Sequence, residues 1–467
     1  MAVELEQTDA RQEATPWFGL AIGSLLVAGG FALLLVIGRV PPFSGWLGES
    51  AAFFKRCLVV HVDLSIVVWF HAFTAGLFAL LPGGRKGSHL RTLGVASALM
   101  GIAAIFACIF IEGAEPILSN YVPSLGHPLF LAGIGAFFVG VALTFLDGRL
   151  WPSAEEERQA SLIPLEARPG LRAAAVAFLF AVLTFAASAL TTPEGMLPAT
   201  RNEFLFWGGG HVLQVCSVAT MVTVWLMLLT PALGRAPVAR TWTVPLFALL
   251  VLPTAAGPAL ALAGTTRVWV HDGFTTLMRF GIFPVVTVFA GLCLRAVVQG
   301  ARRGEVKLSD PRVLGFLASV GLTTVGFVIG AFINGSNTIV PAHYHASIGA
   351  VTVSFMAITY PVILRQPVRF PRLAAWSRWQ PLLFGVGQMV FAIGFALAGS
   401  QGMARKAYAA EQHIRTATEL AGLVVMGLGG LVAVAGGLLF LLLVLTSFAR
   451  GPRKVSPWQP SLTPSKP

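Results

Sequence analysis

Apolar residues run along this chain in long blocks, and short polar segments separate the blocks. A helix that crosses a hydrocarbon layer about 30 Å thick needs roughly 20 such residues. Twelve stretches meet that length, near 17–38, 58–81, 92–112, 128–146, 172–190, 204–229, 243–263, 274–298, 313–333, 343–364, 381–399 and 419–448. The pattern predicts an all-α integral membrane bundle of twelve transmembrane helices. Residues 17–448 form the membrane domain, between an N-terminal tail at 1–16 and a C-terminal tail at 449–467. Glu4, Glu6, Asp9 and Glu13 precede the first stretch. A cleaved signal peptide would instead begin with basic residues.

Composition sharpens this. Of 467 residues, 56% are hydrophobic and 11% are charged, against about 25% charged in soluble domains. Mean hydropathy is +0.78, which excludes a soluble enzyme carrying a single anchor. The net charge of +12 needs no nucleic acid as partner, because cytoplasmic loops of membrane proteins are rich in Lys and Arg. With the N-terminus inside, the inner segments hold 23 of the 32 basic residues, so both termini are expected in the cytoplasm. Even-numbered helices then begin at the outer face. The four Cys are scattered and suggest neither a zinc site nor a disulfide framework.

The histidines carry the candidate chemistry. His61 opens the second helix, His211 lies near the start of the sixth, and His343 and His345 open the tenth. All three helices begin outside, which places four imidazoles at a similar depth. Ionisable groups in a bilayer are costly and usually face the bundle interior, and imidazole is a common ligand of haem iron. Residues 343 and 345 point roughly 200° apart at about 100° per residue. They cannot share one metal, but each can hold one, on opposite faces of the helix. The alternative is two hydrogen-bonded polar residues at a helix start.

The run from Asn334 to Ile363, NGSNTIVPAHYHASIGAVTVSFMAITYPVI, resembles helix 10 of subunit I of the haem-copper oxidase superfamily. It is most similar to the short B-family oxidases, with the cbb-type and nitric oxide reductase branches as relatives. The run QPLLFGVGQMVFAIGFALAGSQGMARKAY, 380–408, resembles helix 11 and the following loop. VVHVDLSIVVWF, 59–70, is similar to helix 2 of nitric oxide reductases. The resemblance implies a cytochrome oxidase subunit I-like fold in the bacterial inner membrane. It implies two haems. His61 and His345 would be the axial ligands of a low-spin haem, and His343 the proximal ligand of a high-spin haem. Arg405 and Lys406 would neutralise haem propionates.

The sequence departs from the family at the second metal. The oxidases hold a copper with a helix 6 histidine and an adjacent pair on helix 7. His211 matches the first position, but Gly257-Pro258-Ala259-Leu260 stands where the pair is expected. Val215 replaces the oxidase Tyr and the reductase Glu that follow the helix 6 histidine by four residues. A lone imidazole does not make a copper or non-haem iron site. His271, with Arg267 and Asp272 beside it, is expected in the outer loop between helices 7 and 8 as a surface or propionate-contact residue. Gln214 is a candidate lining residue. Asp63 is the only acidic residue well inside a span, with Glu112, Glu115 and Asp147 at helix ends. Thr275, Thr276, Ser217, Thr220 and Thr223 either form a hydroxyl path or bond to nearby carbonyls. His71 is expected to make a buried interhelical hydrogen bond, and His127 a cap or loop contact.

These residues point to a dihaem respiratory oxidoreductase. Electrons would pass from a partner subunit, cytochrome c or quinol through the low-spin haem to the high-spin haem, which binds O2 or NO. A copper-less haem protein for electron transfer, gas sensing or NO chemistry is the second reading. A haem-binding assembly or transport protein without turnover is the third.

Overall fold

The computed structural model describes residues 2–37, 51–84, 88–363, 375–405 and 414–448. Twelve of its helices are long and apolar enough to cross a membrane. They are α1 (Ala2–Ile37), α2 (Ala51–Val62, a π turn Asp63–Val68, then Trp69–Ala79), α3 (His89–Ala107) and α4 (Pro128–Phe145). Next come α5 (Arg168–Thr191), α6 (Pro198–Leu233), α7 (Arg240–Val251, a 3-10 turn Leu252–Ala256, then Gly257–Leu262) and α8 (Val268–Arg302). The last four are α9 (Pro311–Ala331), α10 (Ile339–Val362), α11 (Gln380–Gly399) and α12 (Ala417–Phe448).

Three boundaries differ from the hydropathy reading. α1 begins at Ala2 and continues through the acidic segment expected as a tail. Its Glu13 is not free, because it pairs with Arg91 and Arg149 at the start of α3 and beyond α4. Arg149 also pairs with Asp147, so the helix ends there are locked by two acids and two bases. α8 begins six residues before the apolar block, because Trp269, His271 and Asp272 continue a helix that hydropathy alone does not mark. α7 is broken where Pro253 and Pro258 remove backbone donors. Elsewhere the signals are local ones. Asp310 accepts from Arg312 N–H to cap α9, with Pro311 in the first turn, and Gly234 ends α6 at φ 68°.

Consecutive helices pack closely as antiparallel neighbours: α3 with α4, α5 with α6, α9 with α10 and α11 with α12. Small residues permit this, since lipid supplies no hydrophobic drive between helices. Gly101 and Gly133, for example, abut each other's backbone. α6 is the central element, with 89% of its apolar window buried against 28% for α7. The two halves of α2 also run through the core, where Phe73 stacks on Phe355 of α10 at 4.5 Å. Helices 2, 6 and 10, which carry the histidines, are therefore the most enclosed part of the bundle.

Candidate haem site

His343 and His345 leave α10 on opposite sides. His343 Nδ1 donates to the Gly326 carbonyl of α9 at 2.7 Å. One turn further along α9, Gly330 leaves room for the ring, and a Cβ there would lie 2.7 Å from Nδ1. His345 turns instead to α11, with its ring 4.8 Å from Phe391 and 6.1 Å from Phe395. Two residue steps of about 100° require this divergence. His61 Nδ1 donates to the Ala28 carbonyl of α1 at 2.8 Å, and His61 lies within electrostatic reach of His345.

A carbonyl only accepts, so Nδ1 of His61 and of His343 carries the proton and Nε2 holds the lone pair. Among the described residues neither Nε2 has a hydrogen-bond partner. Both rings, and that of His345, are half-buried, not sealed by side chains. A metal-ligating histidine is ordinarily fixed this way, with its other nitrogen donating to a carbonyl. His61 and His343 therefore fit axial ligation of haem iron, whereas His345 faces α11 without such a bond among the described residues.

His211 is built differently. Its Nδ1 donates to the Trp207 carbonyl at 2.8 Å, and its Nε2 meets the Tyr121 hydroxyl at 2.9 Å. With Nδ1 protonated, Nε2 of the neutral ring accepts from the phenol. Its lone pair is thus already engaged, and among the described residues no group of three His, Cys, Asp or Glu converges to hold a metal ion. Gly257 packs its backbone toward Thr184 and Val212, while Ala259 faces outward. A second metal at His211 does not fit these residues.

Tyr121 is the site residue that the sequence reading missed. It sits at the tip of a hairpin whose strands are β1 (Pro116–Ile117) and β2 (Ser124–Leu125). Its φ of 63° is the one positive value among the described non-glycine residues, a conformation of the kind that costs roughly 1–3 kcal/mol. Two neighbours on α6 hold it there. Glu203 accepts from the backbone and side-chain amides of Asn120, and Asn202 donates to Ser119 and to the Val122 carbonyl. The ring then lies on Gly210, against Trp207 and His211. Desolvation of the hydroxyl and the Glu203 carboxylate push the phenol well above its ordinary pKa, against a smaller pull from Gln214. The signal available in the sequence was Gly208-Gly209-Gly210. Each of these three helix glycines makes room for an aromatic ring, of Phe274, Phe185 and Tyr121 respectively.

The remaining residues fall as follows. His271 is not in a loop but in the first turn of α8, where its Nε2 donates to the Thr265 carbonyl at 3.0 Å and its ring lies 5.0 Å from Trp207. The backbone of Leu213 on α6 faces His71 from the neighbouring helix, and within its own helix the ring bonds to the Val67 carbonyl at 2.6 Å. The π turn supplies that carbonyl. His127 caps α4 by accepting from Leu129 N–H. Asp63 is fully buried, and neither carboxyl oxygen has a partner among the described residues. Thr220, Thr223 and Thr275 each bond to the carbonyl four residues back, and Thr220 also meets Thr74 across to α2. Arg405 donates to Ser336 at 2.9 Å, just before α10. Lys406 lies outside the described residues.

This architecture is that of subunit I of the haem-copper oxidases. The chain superposes with a TM-score of 0.68 on a haem-copper terminal oxidase solved as a dimer, at 14% identity, over 96% of this chain and 86% of that one. It is 24% identical over 392 residues to cytochrome c oxidase subunit 1 of Thermus thermophilus, covering 76% of this chain and 69% of that protein. An uncharacterized protein of Aquifex aeolicus is 28% identical over 354 residues, 74% of this chain and 83% of its own length. One of Rickettsia prowazekii is 24% identical over 495 residues, 91% and 94% respectively. No family model matches the chain.

Proposed function

We propose that this chain is a dihaem membrane oxidoreductase of the haem-copper oxidase type that works without a second metal. His61 and His345 hold a low-spin haem, and His343 holds a high-spin haem that binds O2 or NO. Bound haem supplies one-electron redox chemistry and an open coordination position. The chain's own residues orient it. Ala28 and Gly326 fix the tautomers of His61 and His343 and aim each Nε2 lone pair. α9 and α11 set the two ligands of α10 against different neighbours. Arg405, with Lys406, meets haem propionates at the outer surface. Electrons enter from a partner subunit, cytochrome c or quinol, in a bacterial cytoplasmic membrane.

The observation that carries this reading is the pair of Nδ1-to-carbonyl bonds that leave Nε2 free. In the purified protein, His61→Ala should abolish the sharp low-spin absorption band of the reduced minus oxidised spectrum and leave the other haem. Carbon monoxide should shift only part of the wild-type spectrum, and that part should vanish in His343→Ala. An unchanged spectrum in either variant overturns the assignment.

The engagement of His211 by Tyr121 favours the second reading over a conventional oxidase. On that reading the chain carries electrons, senses a gas or handles NO, and its turnover with O2 is slow or absent. Elemental analysis should find no stoichiometric copper. About one copper per chain, lost in His211→Ala, would restore the conventional reading.

A further inference from the structure

At the end of the bundle opposite His343 lies a cleft of about 890 Å³, lined by residues of the 152–165 connection and by the first turns of α5 and α7. Four arginines line it, Arg158, Arg168, Arg172 and Arg240, against the single carboxylate of Glu157. Glu157 bridges two of them, accepting from Arg172 at 2.6 Å and Arg240 at 2.8 Å. That fixes one guanidinium from α5 and one from α7 in place. Arg168 spends its donors on the carbonyls of Glu157, Ile163 and Gln159. Carbonyls are neutral, so its charge is offset only by the nearby carboxylates of Glu157 and Glu166. Arg158 is exposed. The adjacent cluster of Arg91 and Arg149 with Glu13 and Asp147 is balanced within itself. Glu155 and Glu156 stand on the same turn as Glu157 but do not line the cleft, and Glu156 is used in a capping box with Ser153. Four arginines therefore stand against two carboxylates, Glu157 and Glu166, which leaves an excess of two positive charges at one preorganised concavity.

We propose that this cleft binds the phosphate group of an anionic membrane phospholipid. Guanidinium groups suit phosphate oxygens because their planar donors match them in pairs. The level of the cleft selects a lipid over a free anion. Arg168 and Arg240 open helices that are long and apolar enough to span a membrane, so the cleft sits at headgroup height. Trp151 and Trp242 flank it at 80% and 64% exposure, and Leu165 on its rim is 43% exposed. Exposed indoles at that height are the usual membrane-interface anchors, and basic pockets between helix ends are suited to anionic headgroups.

The test uses the full chain in neutral detergent, stripped of lipid and offered phosphatidylglycerol or phosphatidylcholine with the same acyl chains. Native mass spectrometry reads the retained lipid. About one phosphatidylglycerol per chain should be kept, at least tenfold in preference to phosphatidylcholine. Arg240→Ala should weaken retention about fivefold, the effect of one interfacial cation. Arg158→Glu should weaken it further, and Arg158→Lys should preserve it. Position 158 is exposed, so its variants test charge without disturbing packing, and an unchanged melting temperature verifies the fold. Equal retention of both lipids, or retention indifferent to Arg158→Glu, overturns the proposal. Displacement of the lipid by equimolar inorganic phosphate would assign the cleft to a free anion and overturn the lipid reading.

Discussion

Position 121 shows how much a single residue can settle. A left-handed tyrosine persists only where its surroundings over-determine it, and here Asn202 and Glu203 pin both sides of the turn. Its hydroxyl occupies the nitrogen that a metal would need. Tyr121→Phe leaves His211 Nε2 without a donor in a buried setting, a loss of roughly 1–3 kcal/mol. The variant should melt at a lower temperature than the wild type by differential scanning of the detergent-solubilised protein. An unchanged melting temperature would show that the hydroxyl contributes nothing. Little of this was legible along the chain beyond the three glycines at 208–210, because a loop residue belongs to no period and its partners lie 81 to 90 residues away. The divergence of His343 and His345 was legible, because it follows from helical geometry alone.

At the scale of the element, the sequence spoke clearly where apolar length decides the outcome and poorly where hydrogen bonding does. Twelve helices follow from hydropathy. The π turn of α2 does not, since DLSIVV contains neither Gly nor Pro to mark it. The early start of α8 is equally silent, and it moved His271 from a loop to a helix. Two contacts between elements yield predictions. Gly330→Ala places a methyl group against the His343 ring, a kind of overpacking that costs about 1–3 kcal/mol. Carbon monoxide binding to the reduced protein should weaken or shift while the low-spin band stays unchanged; a change in both bands would mean a general loss of packing. Glu157 ties α5 to α7. Burial raises its pKa, but Arg172 and Arg240 outweigh this and leave it below the ordinary 4.5. Its ionised form is favoured in the fold, so the stabilisation is present above about pH 4.5 and is lost as the pH falls through the lower folded value. Melting temperatures of the wild type and Glu157→Gln should therefore differ at pH 7 and converge as the pH falls below 4.5 and through the folded value. A difference that persists at low pH would assign the effect to packing.

For the whole molecule, basic residues decide orientation. The Arg168 end of the bundle carries Arg91, Arg149, Arg158, Arg168, Arg172 and Arg240, and the bias of Lys and Arg predicts that it faces the cytoplasm. A fluorescent protein fused after Pro467 should fold and fluoresce, whereas alkaline phosphatase fused there should stay inactive. The reverse result would invert the bundle and move the histidines to the cytoplasmic half. The fold was readable at this scale because the bilayer restricts spanning segments to helices and closed barrels. The site was readable only in part, because the histidines declare themselves while the hairpin that closes over His211 does not.

The π turn at 63–68 acts as a phase offset in α2. Each α-helical residue turns about 100° and advances about 1.5 Å, and a π turn takes in one residue more than the α turn it replaces. The two halves of α2 are thereby indexed independently. Phe73 on Phe355 sets one half, and His61 on Ala28 sets the other. Removing any one residue from 64–67 would leave the hydrophobicity of the span almost unchanged. It would also swing His61 more than a quarter turn away from Ala28 and His345. What this stretch encodes is a count. Exchanges of one apolar side chain for another are tolerable there, whereas a gap of a single residue is not.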